Sequence, residues 1–314
     1  MKDQAQTPTF QHQSVLVQEV LHNLQLSGKR VIVDGTLGLG GHSLEILQNM
    51  PKGGKLFCFE LDSDHLKHAK KVLKNFKEQV VFVQANFNQL TNEIAKTRVK
   101  GIDAIFLDLG LASPHVDIPE KGFSFMHEGP LDMRFSKDQP ATAADVVNKY
   151  SEKELIRIFK DYGEERRARK IAHEIAVIRK RKPFKTTTQL AKFVEKLLPR
   201  DGRIHPATRI FQALRIEVNK ELDVLQDVLT QAVSLLRPKG RIVVISYHSL
   251  EDRIVKQFFK ALSRDYVNVP GELKTTKLKP TLAIITKKPI VPTNEEIAKN
   301  PRSRSAKLRV AEKI

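Results

Sequence analysis

The sequence predicts an α/β fold: a parallel sheet covered on both faces by helices and interrupted by an all-helical insertion. Short, continuous apolar strands alternate with amphipathic helices as far as residue 108. The alternation then stops for a long helical stretch, and afterwards it resumes. One α/β domain built from residues 1–115 and 207–314, with 116–206 inserted, is the economical reading.

Taken in order, Ser14 to Leu26 carries apolar side chains at helical spacing and forms a leading helix. Val31 to Val33 is a first strand ending in Asp34, followed by a Gly-rich turn and a helix through Met50. Lys55 to Glu60 is a second strand, Val80 to Val83 a third and Ala104 to Asp108 a fourth, with a helix from Asp64 to Asn75 between the second and third. A loop rich in Gly, Pro and Ser runs from Gly110 to Pro140. Three helical stretches follow, the first opened by the Ser151/Glu154 capping box and the others covering Glu164 to Lys180 and Thr187 to Leu198. A long helix from Ala207 to Leu236, a strand from Arg241 to Ser246, a helix from Leu250 to Leu262 and a late strand from Leu282 to Thr286 complete the set.

Composition narrows the function classes. With 314 residues the chain can bury a full core, and the single Cys58 excludes disulfide scaffolds, thiolate zinc sites and iron–sulfur clusters. No apolar run approaches the roughly 20 residues that cross a bilayer. The N-terminus MKDQAQTPTFQHQ lacks the basic-then-apolar layout of a signal peptide, so a soluble cytoplasmic protein is expected. The formal net charge is +18, and its excess is local: Arg166 to Arg203 holds 13 basic and 3 acidic residues, and Gly271 to Ile314 holds 11 and 4. Such focusing suits a polyanion, because each phosphate contact releases counterions. A solvated helix face is the plainer alternative.

Four places could carry chemistry. The first turn reads Asp34-Gly-Thr-Leu-Gly38-Leu-Gly40-Gly41-His42-Ser43, glycines that let a ligand approach the backbone at a helix N-terminus. Its spacing is not the dinucleotide-binding GxGxxG, which disfavours a nicotinamide oxidoreductase. Glu60 ends the second strand about 20 residues on, where a carboxylate can accept from ribose hydroxyls; an ordinary helix-start acid is the alternative. Asp108 ends the fourth strand at the ligand-binding rim of the sheet, where it can meet a cofactor's positive group, a base's amino hydrogens or a helix end. Ser246 to Asp252 brings further polar groups to the same rim, with His248 expected to be structural. His65 and His68 sit three apart on a helix, but no carboxylate completes a triad with the scattered histidines, so no metal site is expected. Arg209, Gln212, Arg215 and Asn219 share one helix face and suit either solvent or RNA.

Eight segments in order, HQSVLVQEV, DGTLGLGGHS, LDLGLASP, GFSFMHEGPLDMRF, YGEERRARKIA, HPATRIFQALRIEVNKEL, ISYHSLEDRIVK and NPRSRSAKLR, resemble those of the bacterial 16S ribosomal RNA (cytosine-N4)-methyltransferase family, the RsmH (MraW) family. The resemblance spans about His12 to Lys313. It implies a class I, Rossmann-like S-adenosylmethionine-dependent sheet, with 116–206 as an inserted domain recognising the RNA. It also implies methylation of the exocyclic N4 of a cytidine in the decoding region of 16S rRNA. By motif, Gly40, Gly41 and His42 would contact the methionine moiety and Glu60 the ribose. Phe87 would pack near the adenine, and Asp108 and His115 would complete the pocket. Two places depart from the family pattern: Glu60 stands where Asp is usual, and Ala112-Ser113-Pro114-His115 where Ser-Ser-Pro-Gln is usual. The family includes homodimers, although no feature of this chain demands one.

The chemistry can be reasoned independently. Methylating C5 of cytosine calls on a cysteine nucleophile, and radical methylation calls on three cysteines. Cys58 lies inside the second strand, so direct transfer to nitrogen or oxygen remains. An exocyclic amine needs its N–H bonds accepted as it attacks. Asp108, with carbonyls of the Leu109 to Ser113 turn, is the candidate acceptor and therefore the catalytic candidate.

Overall fold

The computed structural model describes residues 14–198, 205–268, 275–277 and 279–314. His12, Arg203 and Gly271, which bound stretches named above, lie outside them. The described residues divide into two compact units, one within residues 14–110 and 222–314 and the other within residues 111–198 and 205–221.

The sheet unit begins with α1 (Val17–Leu24), β1 (Val31–Asp34), α2 (Gly41–Asn49), β2 (Lys55–Phe59), α3 (Ser63–Val72), β3 (Val80–Val83), α4 (Leu90–Ala95) and β4 (Ile102–Asp108). The helical unit follows with α5 (Ser113–Asp117), α6 (Ala143–Lys149), α7 (Glu152–Asp161), α8 (Ala168–Ile178), α9 (Thr187–Leu197) and α10 (Ala207–Asn219). The chain returns through α11 (Glu221–Leu235), β5 (Leu236–Ser246), α12 (Ser249–Leu262), the short hairpin β6 (Tyr266–Asn268) and β7 (Thr275–Lys277), then β8 (Leu282–Ile284), α13 (Asn294–Lys299) and β9 (Lys307–Lys313).

The seven-stranded sheet runs β3-β2-β1-β4-β5-β9-β8. The first five strands pair in parallel, and β9 pairs antiparallel to both neighbours. Strand order reverses between β1 and β4, which opens a crevice at their carboxyl ends. The continuous apolar strands reflect burial on both faces. Ile32, Leu56, Cys58, Ala104 and Phe106 pack with Val20, Ile46 and Ala69 of the first three helices. Val33, Phe57, Ile105 and Leu107 pack with Ile94, Val228 and Phe259 on the other side.

β9 was not expected. Its Lys, Arg and Glu residues read as part of a basic tail, yet Arg309 is buried because Asp252 takes its Nε and Nη2 at 2.6 and 3.2 Å. The long helix expected from Ala207 to Leu236 is two helices, broken where Lys220 adopts φ 51°.

In the helical unit Leu155, Ile158, Phe159, Ile171, Ile175, Leu190 and Val194 form one core, entered through capping boxes at Thr142 and Ser151. α6, with its Thr142 capping box, is an element beyond the three helical stretches expected after the loop. The expected border at 206/207 lies instead at 221/222. The reason is α10, whose Ile210, Phe211, Leu214 and Val218 are buried in this core. The other border lies at 110/111, so His115 falls in the helical unit, its ring 5.0 Å from both Phe123 and Phe135.

Candidate active site

Four main-chain segments converge at the carboxyl ends of β1, β2, β4 and β5. Asp34 ends β1 fully buried, where Oδ2 accepts from the Ser43 hydroxyl at 2.6 Å and Oδ1 from the Thr36 amide at 3.0 Å. Burial raises its carboxyl above the usual range, and these two donors oppose the shift. Thr36 then ties β1 to β4, because its hydroxyl accepts from the Asp108 amide at 2.6 Å. The turn is therefore pinned at both ends before any ligand arrives.

The turn's last residues open α2. The space a side chain would need at Gly41 is occupied, since a Cβ there would lie 2.2 Å from the Ser14 hydroxyl oxygen. Ser14 to Leu16 form a strap over this helix start. The Val15 carbonyl accepts from Nε2 of His42 at 2.8 Å, and the Leu16 amide donates to Glu296 of α13 at 2.8 Å. The His42 side chain is thereby committed to the protein, buried with its ring 4.7 Å from Phe106. Its main chain, with those of Gly41 and Ser43, belongs to the first turn of a helix, whose N–H groups have no intrahelical partners.

Glu60 follows β2 and is fixed by two amides: Oε2 accepts from Gly38 at 2.9 Å and Oε1 from Asp62 at 2.7 Å. At 12 % exposure it still faces outward, with lone pairs left for a diol. Phe87 approaches the same turn, as its Cβ would lie 3.4 Å from a Cβ placed on Gly35.

Asp108 is the central group. Tyr247 donates its hydroxyl to Oδ1 at 2.9 Å, and Oδ2 lies 3.5 Å from Nδ1 of His42. The carboxylate is 18 % exposed. Desolvation raises its pKa to about 6, against the pull of His42 and the Tyr247 hydroxyl, while the carboxylates of Asp34 and Glu251 push the same way as burial. A carboxyl poised near neutrality can accept a proton and later release it.

The structure thus assembles Gly40, Gly41, His42, Glu60, Phe87 and Asp108 in one unit, and it places His115 in the other. Tyr247, Asp34, Thr36 and the Ser14–Val15 strap had no role assigned from the sequence. Asp34 and Thr36 stand in the glycine-rich turn already singled out, Ser14 and Val15 in the HQSVLVQEV segment, and Tyr247 in the polar run at the end of β5. His248 is structural: Nδ1 caps α12 by accepting from the Glu251 amide at 3.4 Å. On α10, Gln212 donates to the Tyr162 carbonyl, Arg215 forms a two-pronged pair with Glu221, and Asn219 is buried. Only Arg209 of that face is exposed, at 51 %.

Comparison with known proteins settles the family. The model of the MraW methylase family matches residues 9–314. The chain belongs to that family. It is 47 % identical over 309 residues to the ribosomal RNA small subunit methyltransferase H of Carboxydothermus hydrogenoformans, covering 97 % of this chain and 98 % of that protein. Among solved structures, an rRNA methylase from Streptococcus thermophilus is similar at 11 % identity and a TM-score of 0.41, covering 95 % of this chain and 93 % of that one. An O-methyltransferase from Bacillus cereus is similar at 10 % identity and 0.44, covering 97 and 84 %. The family assignment rests on the sequence match. A methylase with a sheet of this class takes its methyl group from S-adenosylmethionine. The site fits that donor: the first turn of α2 presents main-chain N–H groups, and the Glu60 carboxylate beside it is held by two amides.

Proposed function

We propose that this methylase transfers the methyl group of S-adenosylmethionine directly to the exocyclic N4 of a cytidine in the decoding region of 16S rRNA. The donor, when bound, supplies an electrophilic methyl carbon on a positively charged sulfur. Gly40, Gly41 and His42 would hold its methionine end through their main chain, Glu60 its ribose and Phe87 its adenine. The observation that carries the reading is Asp108, a half-shielded carboxylate at the β4 rim with one oxygen held by Tyr247 and the other facing His42.

The chemistry follows from what an amine on a pyrimidine lacks. Its lone pair is conjugated with the ring, so it is nucleophilic only when its N–H bonds are accepted and the nitrogen can pyramidalise. Asp108 supplies the acceptor and takes the proton released as the new C–N bond forms and the donor's methyl–sulfur bond breaks, its electron pair staying on the sulfur of S-adenosylhomocysteine. Cys58 supports the choice of nitrogen over C5. It is 0 % exposed, and burial beside Asp34 pushes its thiol well above the usual range, so it offers no thiolate nucleophile.

A target base within folded RNA must leave its stack to reach such a crevice. We assign phosphate contacts to the helical unit's exposed Arg166, Arg167, Arg169, Lys170, Lys180, Arg181 and Lys182, and to Arg302 and Arg304 of the sheet unit. Arg179 is excluded, because Nη1 donates to the Val147 carbonyl at 2.7 Å and the residue serves the helical unit itself. No helix among the described residues is long and apolar enough to cross a membrane.

The test is to incubate the protein with labelled S-adenosylmethionine and small subunits lacking the modification, then identify the methylated nucleoside by mass spectrometry. N4-methylcytidine is expected. A methyl group on C5 or on a ribose oxygen overturns the assignment.

A further inference from the structure

Tyr247 directly follows β5, and two hydrogen bonds fix it. Its amide donates to Glu251 Oε2 at 2.8 Å, and its hydroxyl donates to Asp108 Oδ1 at 2.9 Å. Across the turn stands Gly110 at φ +104°, where a Cβ would come within 3.1 Å of the tyrosine ring. The glycine leaves that ring its place, and a larger residue there would displace it.

The second oxygen of Asp108 is constrained differently. A bond to a carbonyl requires an N–H, so Nε2 of His42 carries the proton given to Val15. Nδ1 then faces Oδ2 at 3.5 Å with a lone pair in the neutral ring, and with a proton only in the charged one. Tyr247 thus gives this carboxylate its side-chain hydroxyl donor, on Oδ1.

We infer that Tyr247 is a positioning residue for methyl transfer: it holds Oδ1 of Asp108 so that Oδ2 is presented, unprotonated, to the N–H of the substrate amine. This inference rests on the reading of Asp108 as acceptor. The titratable groups facing Asp108 are His42 of α2, Asp34 of β1, Tyr247 after β5 and Glu251 of α12. His42 and Tyr247 favour the carboxylate, whereas Asp34, Glu251 and burial disfavour it. Burial and Asp108 itself push the Tyr247 phenol well above its usual range, so it remains a donor throughout the working pH range.

The experiment uses the full chain and three versions of it. Turnover on the rRNA substrate is followed against pH, with folding checked by thermal melting and S-adenosylhomocysteine affinity by calorimetry. Tyr247→Phe removes only the hydroxyl. It is expected to lower kcat about tenfold, leave the cofactor affinity within about twofold and move the acidic limb of the pH profile up by about one unit, because the anion loses a donor. Incorporating a ring-fluorinated tyrosine at 247 keeps the shape and strengthens the donor, so the limb moves down. That arm also serves if the phenylalanine variant melts early. Asp108→Asn separates the two readings. If it turns over normally, the acceptor role of Asp108 falls and the positioning role falls with it. If it is inactive while both Tyr247 changes leave the acidic limb in place, only the positioning role is overturned.

Discussion

The two units place their charge in opposite ways. At the rim of the sheet, Asp34, Glu60 and Asp108 are buried or half-buried, and each has oxygens committed to donors of the fold, among them the amides of Thr36, Gly38 and Asp62 and the hydroxyls of Ser43 and Tyr247. In the helical unit the core is apolar and, Arg179 apart, the cations of α8 and the segment after it stand in solvent. Even its buried acids meet cations, Glu217 with Arg157 at 3.0 Å and with Lys220, and Glu165 with Arg209 at 3.7 Å. Removing a charge from water is costly unless donors replace the lost hydration. A protein tolerates that cost where a perturbed carboxylate is useful. Charges that only need to find phosphates stay exposed, where ordering them costs little.

The strongest challenge to this contrast is Asp108→Asn, which keeps the shape and removes the charge. Turnover is expected to fall by about 100-fold or more, with S-adenosylhomocysteine still bound in calorimetry. Unchanged kcat in single-turnover assays would leave the rim without its acceptor.

Leu214→Ala probes the other unit's apolar interior. Leu214 is fully buried there, and the change is expected to cost about 2–5 kcal/mol in denaturant unfolding. A loss under ~1 kcal/mol would show that α10 is not part of that core.

The third comparison is one of salt. Reversing Lys180, Arg181 and Lys182 to Glu is expected to weaken RNA binding and to reduce the slope of log K against log salt by about 2. Cofactor affinity should not change. An unaltered slope would make those cations a solvated face.

The last two effects are smaller. Because the pKa of Asp108 is raised to about 6 and its charged form is the acceptor, kcat should be half-maximal near that pH and fall below it as the carboxylate protonates. A profile flat between pH 5 and 8 contradicts this. Ser151→Ala removes a capping box and should cost about 1 kcal/mol of stability without touching cofactor binding.

Much of the sheet was legible because both faces are covered, so β1 to β4 read as unbroken apolar runs, with acids at the ends of β1, β2 and β4. β9 was not, because its Lys307 and Arg309 are met by Asp252 and its Glu312 by Arg241, each more than fifty residues earlier in the chain. α10 kept its helical period but not its allegiance. Periodicity reveals that a face is apolar, and packing alone decides which core receives it. The four polar residues on α10 show the same limit: spacing put them on one face, while contacts with Tyr162, Glu221 and Met133 turned most of them inward.

The amino-acid order by itself determined the α/β alternation, the glycine-rich turn and the acids at the strand ends. These depend on neighbours a few residues apart, where backbone sterics and hydrophobic period act. Only the tertiary structure decided that Asp108 shares its oxygens between Tyr247 and His42, that Val15 commits the other nitrogen of that histidine, and that the helical unit claims residues 111–221. Those outcomes depend on distances between segments far apart in the chain, and a linear pattern does not encode such distances.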